Sequence, residues 1–262
     1  MNLRDGLKNA KRVVFKVGTS SLTYPNGKLN INKIDRLVRV IADLKNRGIE
    51  SVLVSSGAIG VGVGKLNLGE KPKDMPGKQA AAAVGQCELM YLYDKLFSEY
   101  GHITGQVLLT KDAIEHEDRR TNAHNTFMKL LQLGVVPIVN ENDAVSTEEI
   151  EFGDNDTLSA YVATLCESDV LVILTDIDGL YDANPRENPD ARLISQVEKI
   201  TDDILALGGS AGSARGTGGM ITKLYAAQIA SKAGIKTIVC SAEEPKDIYR
   251  IFDEEEIGTI FA

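Results

Sequence analysis

No stretch of the sequence approaches the roughly 20 consecutive apolar residues that crossing a bilayer requires, so no membrane-spanning helix is expected. The first residues, Met1 to Arg12, are polar and charged. They lack an apolar stretch followed by small residues, and no secretory leader is expected from them. Positive charge is scarce too: 29 Lys and Arg against 37 Asp and Glu leave a formal net charge of −8. A nucleic-acid partner usually requires a basic footprint, so this balance argues against one. It does not exclude a nucleotide ligand, provided that the positive charge facing the phosphates is concentrated locally. Cysteine is limited to Cys87, Cys166 and Cys240, with no CxxC pair. An odd count at wide spacing reads as free thiols in a reducing compartment, here the cytoplasm.

Several kinds of chemistry are missing as well. Of the three histidines, His102 and His124 are isolated. His116 lies among Glu115, Glu117 and Asp118, but without a matched ligand set at metal spacing this reads as a solvated loop, and no metal-ligating residue is assigned. There is no Ser-His-Asp or Cys-His arrangement, no GxGxxG fingerprint, and no HRD or DFG set of the protein-kinase type. Gly60-Val61-Gly62-Val63-Gly64-Lys65-Leu66 has the outward look of a P-loop, but the spacing fails and a leucine stands where Ser or Thr is needed.

What is present is ordinary in bulk and particular in pattern. A chain of 262 residues, 43% hydrophobic and 25% charged, can bury a substantial core without disulfides or metals. Strands are predicted at Arg12 to Val17, Ser51 to Ser55, Ile103 to Leu109, Val135 to Val139, Val170 to Leu174 and Thr237 to Val239. Between them, apolar residues recur at helical spacing, as in Ile34, Leu37, Val38, Ile41 and Leu44. Further helices are predicted at Lys78 to Tyr100, Thr121 to Leu133, Asp156 to Cys166, Met220 to Ala233 and Pro245 to Phe252. This alternation implies an α/β fold with a mostly parallel sheet and helices on both faces. No internal repeat or low-complexity linker breaks it, so residues 1–262 read as one domain. In such sheets ligands bind beyond the carboxyl ends of the strands.

Those ends carry Lys16-Val17-Gly18-Thr19-Ser20-Ser21, Ser55-Ser56-Gly57-Ala58, Asn140-Glu141-Asn142-Asp143 and Thr175-Asp176. Core packing gives no reason for such small, polar and glycine-rich segments. The first reads either as an anion-holding turn beside a lysine or as an ordinary strand-to-helix turn. Residues 208–223 hold six glycines and run into a helix that would carry Lys223 on its first turn. A glycine-rich loop opening a helix suits phosphate; the alternative is a surface loop without a ligand. Gly153-Asp154-Asn155-Asp156 reads first as a helix N-cap, which does not prevent a neighbouring side chain from facing a ligand.

Taken in order, these segments make the chain resemble the amino acid kinase family, and within it the glutamate 5-kinases. The lysine strand, Thr175-Asp176-Ile177-Asp178-Gly179-Leu180-Tyr181 and Gly216-Thr217-Gly218-Gly219-Met220-Ile221-Thr222-Lys223 are the broadly shared segments. Ser55-Ser56-Gly57-Ala58-Ile59, Ala83-Val84-Gly85-Gln86, Gly105 to Thr110, Asn140 to Val145 and Gly153 to Ala160 also match, and three of these (Ser55, Asn140 and Gly153 segments) are more particular to the glutamate 5-kinases. The resemblance implies a three-layer αβα sandwich with a mostly parallel central sheet. Its N-terminal half would hold the amino acid, and residues from about 170 to 262 the nucleotide. It implies transfer of a phosphoryl group from ATP, with Mg²⁺, to the side-chain carboxylate of L-glutamate, the first step of proline biosynthesis.

By the same resemblance, Lys16 and Lys223 would neutralise the transferring group, and Asp156 would position them. Ser56, Asp143 and Asn155 would bind glutamate. Lys16, Thr175, Asp176, Thr217, Gly218, Gly219, Met220, Ile221, Thr222 and Lys223 would bind ATP. A homo-oligomer, dimer or tetramer, is implied, and so is a handover of the labile product to glutamyl phosphate reductase. Many members carry a C-terminal PUA domain, and the sequence stops at Ala262, short of one. Rival acceptors on the same fold are acetylglutamate, aspartate and uridylate. A non-catalytic sensor is the rival of another class, and such a sensor has no reason to keep both lysines.

Overall fold

The computed structural model describes residues 2–24, 27–145, 155–209 and 219–262. Thr217 and Gly218 of the expected nucleotide loop, and Gly153 and Asp154 of the expected cap, lie outside the described residues. The chain opens with β1 (Arg12–Val17), the short α1 (Thr19–Leu22), α2 (Ile31–Asn46) and β2 (Glu50–Ser55). It continues through α3 (Ala58–Leu66), α4 (Met75–Glu99), β3 (Thr104–Leu109), α5 (Asp112–Glu115), α6 (Glu117–Gln132) and β4 (Val136–Glu141). The second half holds α7 (Asn155–Leu165), β5 (Val170–Thr175), β6 (Gln196–Val197), α8 (Asp202–Gly208) and α9 (Met220–Lys232). It ends with β7 (Lys236–Ser241), α10 (Asp247–Phe252) and β8 (Thr259–Phe261). No helix among the described residues is long and apolar enough to cross a membrane.

Among the described residues the strands form one eight-stranded sheet in the order β3-β4-β2-β1-β5-β7-β8-β6. Every pairing is parallel except β7 with β8. The central strands are buried on both faces, which is why β5 reads Val-Leu-Val-Ile-Leu-Thr without a polar break until its end. Side chains alternate across β1. Val13, Phe15 and Val17 join the core formed with α2, α4 and α10, while Val14 joins the one formed with α6, α7 and α9. From β1 the chain passes to β2 on one side, and it returns to β5 on the other side only after β4. The carboxyl ends of β1 and β5 therefore flank the switch point of the sheet, where such folds open a crevice.

Helix starts differ from the periodicity-based expectation because caps set them. Asn30 accepts a hydrogen bond from the Lys33 N–H at 3.1 Å, so α2 begins at Ile31, before its first core residue. Asp74 caps α4 in the same way, accepting from the Gly77 N–H at 2.8 Å, with Pro76 in the first turn. That helix therefore starts at Met75 and not at Lys78. The glycine run after Ile59, to which the sequence pattern assigns no element, is helix α3. Its glycines serve packing. A Cβ on Gly62 would lie 1.8 Å from the Ala81 carbonyl oxygen, and one on Gly85 would lie 1.8 Å from that of Ala58. The backbones of α3 and α4 touch, and only hydrogen fits between them.

Candidate active site

Alternation along β1 puts Lys16 on the same face as Val14, beneath α7 and α9. In the sheet it sits between Val54 of β2 and Ile173 of β5. The N-terminal turn of α7 brings Asp156 over it, and the first turn of α9 brings Lys223. Lys16 Nζ lies 2.5 Å from Asp156 Oδ1, and Lys223 Nζ lies 3.0 Å from Asp156 Oδ2. All three are buried: Lys16 is 6% exposed, Asp156 0% and Lys223 5%. Burial alone would push the Asp156 carboxyl up. The ammonium groups of Lys16 and Lys223 outweigh that and hold it well below the usual carboxylate range. Two cations and one anion in a buried cluster leave one positive charge in excess. That excess is the local concentration of charge that an acidic chain needs in order to hold an anion.

Thr222 also faces this cluster. Its Oγ1 lies 2.9 Å from Asp156 Oδ2 and 2.8 Å from the Gly219 carbonyl oxygen, so one hydrogen is shared between two acceptors. The side chain expected among the nucleotide ligands thus turns inward, toward the carboxylate. Gly219 is the N-cap of α9 and, having no side chain, makes no capping hydrogen bond to the first-turn N–H groups. Met220 points into the core, and Ile221 is half-buried behind it. Thr175 ends β5 next to exposed Asp176, and the Thr175 hydroxyl donates to Asp176 Oδ1 at 3.2 Å.

A second polar group lies at the ends of β2 and β4. Asn155 Nδ2 donates to Ser56 Oγ at 2.9 Å and to Asn140 Oδ1 at 2.8 Å. Asn140 Nδ2 in turn donates to Gln86 Oε1 at 3.0 Å. Asp143 is half-buried in the turn that follows β4. The structure therefore gathers Lys16, Asp156, Lys223 and Thr222 in one cluster, and Ser56 and Asn155 in another. Adjacent Asn155 and Asp156, at the start of α7, link the two. Asn140 and Gln86 are contacts that residue-by-residue reading does not assign. A buried asparagine closing an apolar strand was a usable signal. Gln86, in the middle of a helix, gave none.

A model of the amino acid kinase family matches residues 11–241. A glutamate 5-kinase of Clostridium perfringens is 54% identical over 99% of this chain and 98% of its own length. One from Carboxydothermus hydrogenoformans is 55% identical over 99% of this chain and 70% of its own length. Among solved structures, carbamate kinase from Giardia lamblia bound to AMP-PNP superposes with a TM-score of 0.68 at 17% identity, covering 97% of this chain and 99% of that one. At that identity the likeness is one of fold.

Proposed function

Because the chain belongs to the amino acid kinase family, we infer that it transfers the γ-phosphoryl group of ATP to the side-chain carboxylate of L-glutamate, forming L-glutamyl 5-phosphate and ADP. The observation that carries this reading is the buried Lys16–Asp156–Lys223 cluster at the switch point of the sheet. Phosphoryl transfer asks a protein mainly for positioning and for charge placed where charge develops. Lys16 and Lys223 supply that charge, and Asp156 holds both ammonium groups in place. A glutamate carboxylate, with a reference pKa of about 4.3, is already ionised near neutral pH. It attacks the γ-phosphorus directly. A new P–O bond forms, the bond to the β-phosphate bridging oxygen breaks, and its electron pair leaves with ADP. No proton moves in this step, so no general base is required.

In this reading Ser56, Asn155 and Asp143 bind glutamate, with Asp143 as the counter-ion of the ammonium group. Thr175, Asp176 and residues 217–223 bind ATP, the open N-terminus of α9 facing its phosphates. The N-terminal half is the acceptor side and residues from about 170 to 262 the nucleotide side of one domain. Both oxygens of Asp156 lie on lysines, and the described residues form no cluster of three metal-ligating side chains. This donor set does not suit Mg²⁺. The ion would be brought in on the triphosphate, where its chemistry is to neutralise phosphate charge.

Proline biosynthesis, a homo-oligomeric assembly and a handover of the labile acyl phosphate to a reductase accord with this activity. A reducing cytoplasm accords with the free thiols of Cys87, Cys166 and Cys240. Burial pushes the Cys240 thiol up to about 12, which leaves it unreactive. The test is hydroxamate trapping with purified protein, Mg-ATP and hydroxylamine, offering L-glutamate, N-acetylglutamate and L-aspartate in parallel, with ADP release followed for UMP. Product from glutamate alone is expected. Product from another acceptor would correct the acceptor and leave the fold reading standing, and no product from any would favour the sensor.

A further inference from the structure

The segment Ala83-Val84-Gly85-Gln86 takes no part in the chemistry above. Gly85 is explained by the contact of α4 with α3, but Gln86 is not. It is half-buried on α4, and its Oε1 accepts from Asn140 Nδ2 at 3.0 Å. Asn140, 2% exposed at the end of β4, accepts through Oδ1 from Asn155 Nδ2 at 2.8 Å. The second hydrogen of the same Nδ2 goes to Ser56 Oγ at 2.9 Å. Side chains from α4, β4, α7 and the end of β2 thus form one connected line of hydrogen bonds, in which Asn155 donates both ways and Ser56 and Gln86 accept at the two ends.

The orientation of the amides has a chemical result. A primary amide carries two donors on nitrogen and acceptor capacity on oxygen. Asn155 spends both donors within the line. Its Oδ1, which receives no hydrogen bond from a described residue, is left to accept. Ser56 Oγ already accepts from Asn155, so its own O–H is left to donate. An amino acid presents carboxylates that need donors and an ammonium group that needs acceptors, and this pair offers one of each. Turning the Gln86 amide around would set its NH₂ against that of Asn140. Relief would require Asn140 and then Asn155 to turn as well, and the Ser56 hydrogen would then point inward.

We propose that Gln86 is a positioning residue of the acceptor site: by accepting from Asn140 it fixes the orientation of the Asn140 amide and through it that of Asn155, so that Ser56 offers a donor and Asn155 an acceptor to the bound amino acid. The inference rests on the reading of Ser56 and Asn155 as glutamate-binding residues. Gln86 touches no reacting atom, so its influence falls on acceptor affinity and spares ATP.

Two variants separate this role from simple packing. Gln86→Met keeps the length of the side chain and removes its acceptor. Gln86→Glu keeps an acceptor oxygen toward Asn140 in nearly the same shape. Each is first shown to be folded by thermal melting, then assayed beside the wild type by hydroxamate trapping, with glutamate and ATP varied in turn. Gln86→Met should raise the glutamate KM about tenfold, the scale of one buried hydrogen bond lost, and leave kcat and the ATP KM within about twofold. Gln86→Glu should restore the glutamate KM to within about threefold of wild type, since the acceptor is what matters. If Gln86→Met does not fold, Gln86→Ser takes its place and is read by the same criteria. An unchanged glutamate KM in Gln86→Met (or in Gln86→Ser where it takes its place), an equal rise in both KM values, or a Gln86→Glu no better than that variant would overturn the proposal. A wild-type protein that gives no hydroxamate from glutamate would overturn the acceptor reading beneath it. The two failures are therefore distinguishable.

Discussion

Asp156 carries more electrostatic weight than any other described side chain, because two buried ammonium groups depend on it. Asp156→Asn leaves those charges without their anion. Such a loss costs about 3–5 kcal/mol when a buried pair is broken, and urea unfolding at pH 7 should show a deficit on that scale. The pH dependence has a definite sign. A carboxylate whose folded pKa is depressed adds stability that is fully present above its unfolded value of about 3.9 and is lost as pH falls through the lower folded value. The stability gap between wild type and Asp156→Asn should therefore be constant above about pH 5 and narrow only in stronger acid. Asp143→Ala tests a different residue-level role. It should raise the KM for glutamate by about tenfold or more while moving that for ATP little, and equal effects on both would remove Asp143 from the acceptor site. At this scale Lys16, near a strand end, and Lys223, after a glycine-rich loop, stood out in the sequence, while their pairing through Asp156 came only from the family resemblance. The inward turn of Thr222 was not legible, since side-chain direction on a first helical turn depends on what lies beneath it. Nor was the bond between Asn140 and Gln86, which are 54 residues apart in the chain.

Among the elements, α3 and α4 show most clearly where pattern and structure part. The long helix α4 is readable from its alanine-rich start and apolar spacing, and only its first turn is misplaced, because the Asp74 cap and Pro76 carry no hydrophobic signal. Helix α3 is hidden by its own glycines, which have low local helix propensity. They are there for the neighbouring helix, which is a tertiary reason that a local reading does not contain. Gly85→Ala measures the strength of that reason. Its methyl would enter the space of the Ala58 carbonyl oxygen at 1.8 Å, where nothing flexible can yield. The gain in helix propensity, about 1 kcal/mol, should be outweighed by an overpacking cost of about 1–3 kcal/mol or more. Thermal melting should show a net loss, and an unchanged or raised Tm would mean that the two helices can separate without cost.

On the scale of the whole molecule, the sheet is closed at one edge by the two ends of the described chain. Arg4 is 1% exposed and meets carbonyl oxygens rather than a carboxylate. It donates to Ile257 O at 3.0 Å, Gly258 O at 3.0 Å and Ser195 O at 3.1 Å. Arg4→Met would leave those carbonyls without their donor. At about 1–3 kcal/mol for a buried polar group left unsatisfied, the melting temperature should fall by about 5 °C or more, with glutamate and ATP KM values unmoved because the change lies away from the switch point. A matching fall in substrate affinity would show that this edge communicates with the site. The alternation of strands and helices and the mostly parallel sheet were both legible beforehand. The short antiparallel β8 and the two-residue β6 were not, since neither is long enough to show a period.

The bonding at that edge has a consequence for cooperativity. The Leu3 N–H donates to Gln196 Oε1 at 3.3 Å, and the Ala262 N–H donates to Val197 O at 3.3 Å. Two adjacent residues of β6 hold segments far apart in the chain, one ahead of β1 and one just after β8. Opening β6 would release both segments together, so this edge behaves as one cooperative unit.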